Sequence, residues 1–155
     1  MFFTKIMYNN CGILFGVGNV FKLGEIMDKN KAKNLNPIVL AFVGDAVYSL
    51  FVRERLTFMS DSKTGELNAR ATAEVNAVAQ AEFLKNILPF LDEEELAIFK
   101  RARNAKKTTK AKHATVSEYN VATGFEAVLG YLYLIGQNDR LNFLLNEGNI
   151  NEGWR

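Results

Sequence analysis

The chain has 155 residues, 48% of them hydrophobic and 23% charged, which fits one globular domain with its own core and leaves little room for a second. One cysteine, Cys11, excludes an internal disulfide, and no Cys/His cluster has zinc spacing, so a reducing, cytoplasmic setting is expected. The net charge of +2 excludes a uniformly basic chain, and no apolar run reaches the roughly 20 residues that span a bilayer, so no membrane partner is expected.

Residues 1–30 show no convincing period. Gly12, Gly16, Gly18 and Gly24 interrupt any helix. The segment lacks a basic leader and a small-residue cleavage site, which argues against a signal peptide. It reads as a poorly defined N-terminal extension, with Met27 as an alternative start. Asn36-Pro37 is a strong helix start, an N-cap residue followed by Pro at the first helical position. The run PIVLAFVGDAVYSLFVRERL then predicts a long helix to about Leu56. It is apolar on most sides and is expected to be buried as a central rod.

SDSKTG, residues 60–65, reads as a loop. An Ala-rich run predicts one helix from about Glu66 to Leu88, stopped by Pro89. Asp92 with Glu95 forms a capping-box pattern, and Lys100, Arg101 and Arg103 suit a helix C-terminus, so a helix is expected over about 92–104. Ser117 or Asn120 opens a further helix to Ile135, with Gly136 as its stop. Asp139–Glu147 is a short amphipathic helix, and 149–155 a loose tail. No strand pattern occurs. The fold class is all-α, a single helical domain over residues 31–148.

Two acids stand out. Asp45 is the only charged residue between Pro37 and Val52, and Glu126 the only one between Val121 and Gly136. Each lies in a helix apolar nearly all round, where an ionised carboxylate costs several kcal/mol unless compensated. Small residues accompany both: Ala41 and Gly44 near Asp45, Ala122, Thr123 and Gly130 near Glu126. Such residues let two helices approach closely. Two carboxylates meeting there make an oxygen-rich pocket suited to Mg²⁺ or Mn²⁺. The competing reading is that each acid caps a turn or pairs with a basic residue such as Arg70.

A second feature is the strip KRARNAKKTTKAK, Lys100 to Lys112, which carries seven Lys or Arg and no acid. The rest of the chain has 12 basic against 17 acidic residues. A basic strip on an acidic body points to a polyanion, and an ordinary solvated loop is the alternative. Arg101, Arg103, Lys106, Lys107, Lys110 and Lys112 are the candidate contacts. His113, in the same strip, reads as a phosphate contact or a bystander rather than a general base.

The string LAFVGDAVYSLFVRERL resembles the signature helix of the ribonuclease III family, which reads approximately LEFLGD followed by a small residue and an apolar run. FEAVLGYLYL resembles that family's later E-A-x-x-G helix. With RARNAK between them, the three in order resemble the Mini-III branch more than full-length ribonuclease III. The resemblance covers about 36–145.

It implies a homodimeric, metal-dependent endoribonuclease that hydrolyses phosphodiester bonds in double-stranded RNA, with the 23S ribosomal RNA precursor as substrate. It assigns Asp45 and Glu126 to the metal and to catalysis, with Mg²⁺ the expected ion and Mn²⁺ the other candidate. The family's additional Glu, four residues before the Asp, is Ala41 here. Its Asp three residues before the later Glu is Thr123. This thinning points to one ion per site. Tyr48, Phe51 and Phe42 are candidate dimer contacts, each also readable as core. Two rival readings stand beside it: a non-catalytic double-stranded RNA-binding module of the same fold, and a helical interaction protein without a nucleic-acid role. The second leaves the acids and the basic strip unexplained.

Overall fold

The computed structural model describes residues 24–106 and 114–147. Among the described residues there are seven α-helices, one 3-10 turn and no strand, in agreement with the all-α expectation. The helices are α1 (Lys29–Asn34), α2 (Pro37–Met59), α3 (Thr64–Glu74), α4 (Ala77–Ile87), α5 (Glu93–Arg103), α6 (Val116–Leu134) and α7 (Asn138–Glu147), with the 3-10 turn at Leu88–Phe90.

The centre of the bundle is α6, flanked by α2, α4 and α5. Ten of its residues are buried, nine of them in an unbroken stretch but for Glu126 between Ala122 and Tyr131, and Leu132 follows. Its start is fixed by a capping box: the Thr115 hydroxyl accepts from the Glu118 N–H, and the Glu118 carboxylate accepts from the Thr115 N–H. The cap thus lies upstream of Ser117 and Asn120. Its end is the left-handed turn at Gly136, φ +71°. Tyr48 of α2, Phe83 of α4 and Phe125 of α6 meet as an aromatic triad with ring centroids 5.2–5.5 Å apart, each within the favourable range for such pairs.

Three elements differ from the sequence expectation. α2, expected to be a buried central rod, buries Leu40, Ala41, Gly44, Tyr48, Val52 and Leu56 on one side and leaves Val39, Phe42 and Leu50 exposed on the other. The expected helix over 66–88 is two helices. The chain leaves helical geometry at Val75, and the Asn76 carboxamide accepts from the N–H groups of Val78 and Ala79 to start α4. A short helix, α1, precedes α2. The Asp28 side chain caps it by accepting from Lys31 N–H, and the Met27 N–H donates to the Leu134 carbonyl, which ties this end of the chain to α6.

Two successive carboxylates in the first turn of α5 anchor the outer helices. Glu94 accepts from the Tyr131 hydroxyl and from Lys29 and Lys33 of α1. Those three donors hold its carboxyl at about 2, the Tyr131 hydrogen bond contributing most. Glu95 is 2% exposed. It closes the α5 capping box by accepting from the Asp92 N–H, and receives Arg140 of α7 on both oxygens, each at 2.7 Å. The paired carboxylate raises the Arg140 guanidinium further above its already high value.

Candidate active site

The two singular acids lie on α2 and α6, the most extensively packed pair of helices. They pack through glycine. A Cβ built on Gly44 would lie 1.7 Å from the Glu126 carbonyl oxygen and 2.9 Å from the Gly130 nitrogen. A Cβ on Gly130 would lie 2.0 Å from the Leu40 carbonyl oxygen and 2.9 Å from the Gly44 nitrogen. The backbones of α2 and α6 therefore touch where they cross. Asp45 is the residue after Gly44, and Glu126 contributes the backbone carbonyl that Gly44 meets. The juxtaposition expected from the small residues around both acids is present at the level of the chain.

The environment is wetter than expected. In the single chain Asp45 is exposed and Glu126 half-buried. The apolar neighbours of Asp45 along α2 include Phe42, 79% exposed, so an apolar sequence around an acid did not mean removal from water. Glu126 lies among the buried residues of α6 yet is itself half-buried, and the α2 crossing covers its backbone carbonyl.

Two hard carboxylate oxygen donors on touching segments suit a small divalent cation. Among the described residues no group of three or more His, Cys, Asp or Glu is gathered to hold a metal. The positions of Ala41 and Thr123, where further acids would stand, are both buried and carry no carboxylate. The donor set fits an ion that keeps most of its shell as water and phosphate oxygen, which is the habit of Mg²⁺.

The basic strip begins on α5, which packs against another side of α6. Phe99 of α5 packs on α6 so closely that a Cβ on Gly124 would lie 2.6 Å from its ring carbons. Gly124 is two residues before Glu126. One turn further along α5, the Arg103 guanidinium lies over the Phe99 ring, 5.7 Å from its centroid, and its Nε donates to Asn104 Oδ1 at 3.3 Å. Arg101 donates to the Leu35 carbonyl at 3.3 Å, at the end of α1, so part of its hydrogen-bonding capacity serves the junction leading into α2. Lys106 is exposed. Lys107, Lys110, Lys112 and His113 lie outside the described residues.

Sequence reasoning missed the Lys29 and Lys33 contacts to Glu94 and the Arg140 clamp on Glu95. Their only local signal was the Asp92–Glu95 capping pattern. The partners stand 45 or more residues away along the chain.

Comparison with known proteins adds a family. Residues 38–137 match the family model described as the ribonuclease III domain. A Mini-ribonuclease 3 from Clostridium tetani is 41% identical over 139 residues, covering 84% of this chain and 92% of that protein. A Mini-ribonuclease 3 from Thermoanaerobacter is 45% identical over 121 residues, covering 78% and 85%. A crystal structure of a Fusobacterium nucleatum protein superposes with a TM-score of 0.66 at 34% identity, covering 73% of this chain and 90% of that one.

Proposed function

Since the chain belongs to the ribonuclease III family and is an endoribonuclease acting on double-stranded RNA, we propose that it cuts its duplex at a one-ion site formed by Asp45 and Glu126, works as a homodimer, and matures the 23S ribosomal RNA precursor. The observation that carries the site is the backbone contact between Gly44 and Glu126, which holds two acids 81 positions apart in sequence on touching turns of α2 and α6.

Asp45 and Glu126 would hold the ion, Mg²⁺ or Mn²⁺. When bound, it supplies a water of lowered pKa and a positive charge against the phosphate. The chain's own residues perform the rest. Asp45, open to solvent, can meet a ligand arriving with the RNA. Glu126 is the fixed partner, since its main chain is pinned against α2. Arg101, Arg103, Lys106, Lys107, Lys110 and Lys112 are the proposed contacts to the phosphates of the duplex. The duplex is read by shape and by its 2′-hydroxyls rather than by base sequence. The test is incubation of the full chain with duplex RNA with and without Mg²⁺, with product ends mapped. Discrete double cuts that require the ion support the reading, and intact duplex in both arms refutes it.

Phosphate contacts release counterions, so the logarithm of the binding constant should fall linearly with the logarithm of salt concentration. Six contacts give a slope of roughly −5 in the limit where all engage. Titration of duplex RNA by fluorescence anisotropy at several salt concentrations measures it. A slope near zero removes the strip from the interface.

The exposed face of α2 supports the dimer. Val39, Phe42 and Leu50 recur on the side of the helix away from the core, along about 16 Å of its length at 1.5 Å per residue. A second copy covering that face would set Asp45 at the rim of the interface and place both sites before one duplex. Of the candidate contacts, Phe42 is exposed, Tyr48 is buried in the aromatic triad and Phe51 is half-buried against the core. Covering a phenylalanine contributes roughly 1.5–3 kcal/mol per side. Phe42→Asp should therefore weaken self-association by at least about 100-fold while leaving the circular dichroism of the folded chain unchanged. Sedimentation velocity decides, and a Phe42→Asp chain that still sediments as a dimer places the interface elsewhere. No helix among the described residues is long and apolar enough to cross a membrane.

A further inference from the structure

We infer that Gly44 and Gly130 are positioning residues for the acidic pair: their missing side chains set the separation of α2 and α6 at which Asp45 and Glu126 can share one ion. The inference rests on the proposed one-ion site.

Alanine is the better helix former, so it would be favoured at both positions were the surroundings open. They are not open, and the obstruction is of a particular kind. Gly44 faces the carbonyl of Glu126 itself, and Gly130 faces the carbonyl of Leu40, one turn before Gly44. Both obstacles are backbone atoms of the opposite helix. No rotamer change relieves them; one helix must move bodily away from the other. At Gly44 the gap would have to open from 1.7 Å to the 3.4 Å at which ordinary contact begins. Gly124 on the same helix differs. Its obstacles are the ring of Phe99 at 2.6 Å and the Phe99 carbonyl at 3.0 Å, both on the α5 side, so an alanine there presses on α5 and leaves the α2–α6 separation alone.

The displacement falls on the pair of acids. Asp45 moves with Gly44, and Glu126 stays with α6. Mg²⁺ demands near-ideal octahedral geometry at about 2.0–2.1 Å from each oxygen. Two ligands drawn apart by more than 1 Å cannot both reach it, and misplacement of that size costs about 10²-fold in rate. Lys100, Arg101 and Arg103 of the basic strip lie on α5 rather than on α2, so the grip on RNA should survive.

The experiment is Mn²⁺ binding to the full chain without RNA, followed by loss of the free-ion electron paramagnetic resonance signal, on wild type, Gly44→Ala, Gly130→Ala, Gly124→Ala and Asp45→Asn. Thermal melts identify a temperature at which each is folded. The inference expects Gly44→Ala and Gly130→Ala to bind Mn²⁺ at least tenfold more weakly than wild type, with duplex-RNA affinity within about twofold. Gly124→Ala should bind the ion as wild type does. Folded Gly44→Ala and Gly130→Ala with wild-type Mn²⁺ affinity overturn the inference while leaving the site intact, because Asp45→Asn then still reports it. Loss of the fold in both variants also counts against it, since the glycines would then serve the fold rather than the acids. If wild type binds no Mn²⁺, or Asp45→Asn binds it equally, the one-ion site fails and the inference fails with it.

Discussion

Replacing Asp45 with Asn is expected to lower the rate of duplex cleavage by at least about 10³-fold, equivalent to roughly 4 kcal/mol of transition-state stabilisation. Asn keeps the shape of the side chain and removes its charge, so the change falls on ion binding rather than on packing. Asp45 is exposed, and substitutions at exposed sites without special partners usually shift stability by no more than about 0.5 kcal/mol. The variant should therefore melt with wild type. Its affinity for duplex RNA should be equal or slightly higher, because one negative charge facing the phosphates has gone. Glu126→Gln should lose cleavage to a similar degree. The two losses should not add, since either carboxylate alone leaves the ion poorly held. Single-turnover cleavage of a defined duplex, with anisotropy for binding, reads both quantities. Cleavage by Asp45→Asn within tenfold of wild type would remove Asp45 from the chemistry.

The largest stability effect is expected far from those acids. Glu95 is buried, and Arg140 supplies the charge that compensates it through two hydrogen bonds. The same guanidinium donates to the Phe90 carbonyl and lies over the Phe143 ring. Arg140→Ala would leave an ionised carboxylate in the bundle without a counterion. Breaking one side of a buried pair costs about 3–5 kcal/mol. The Arg140 side chain is 29% exposed, so water can reach part of the gap and the lower end, about 3 kcal/mol, is the expectation. For a domain of this size that lowers the melting temperature by roughly 6–12 °C. Lys29→Ala is the contrasting case. Its bridge to Glu94 is mostly solvated, with the Lys29 side chain 63% exposed, and should contribute no more than about 1 kcal/mol. Denaturant melts of the two variants should separate them clearly. Equal losses would mean that the Glu95 cluster is no better shielded than the surface.

What could be read from the residues divides along physical lines. Features written locally were legible. Asn36-Pro37, the Asp92–Glu95 capping box and the stop at Gly136 each occupy a few adjacent positions and act through the backbone of those positions. The close approach near Asp45 and Glu126 was legible in outline, because glycine and alanine beside an acid are themselves the cause of it. The break at Asn76 was present in the letters, as an N-cap residue inside an Ala-rich run, but helix propensity summed over that run outweighed one residue.

Features that depend on what packs against what were not legible. α2 and α6 are both apolar nearly all round. α6 is enclosed by α2, α4 and α5, whereas α2 keeps Phe42 and Leu50 in water. Periodicity cannot tell a helix buried on every side from one that leaves a second apolar face exposed. The burial of Glu95 is similar. Its cap partner is three residues away and was found, while Arg140, which makes its burial tolerable, is 45 residues away.

The central claim is that Asp45 and Glu126 share one divalent ion. Crystals of the full chain grown with Mn²⁺ and measured at the manganese absorption edge test it most directly. A single anomalous peak per chain at the α2–α6 crossing, bonded to a carboxylate oxygen of each residue, is the predicted result. Manganese bound elsewhere, or to only one of the two acids, would contradict the account.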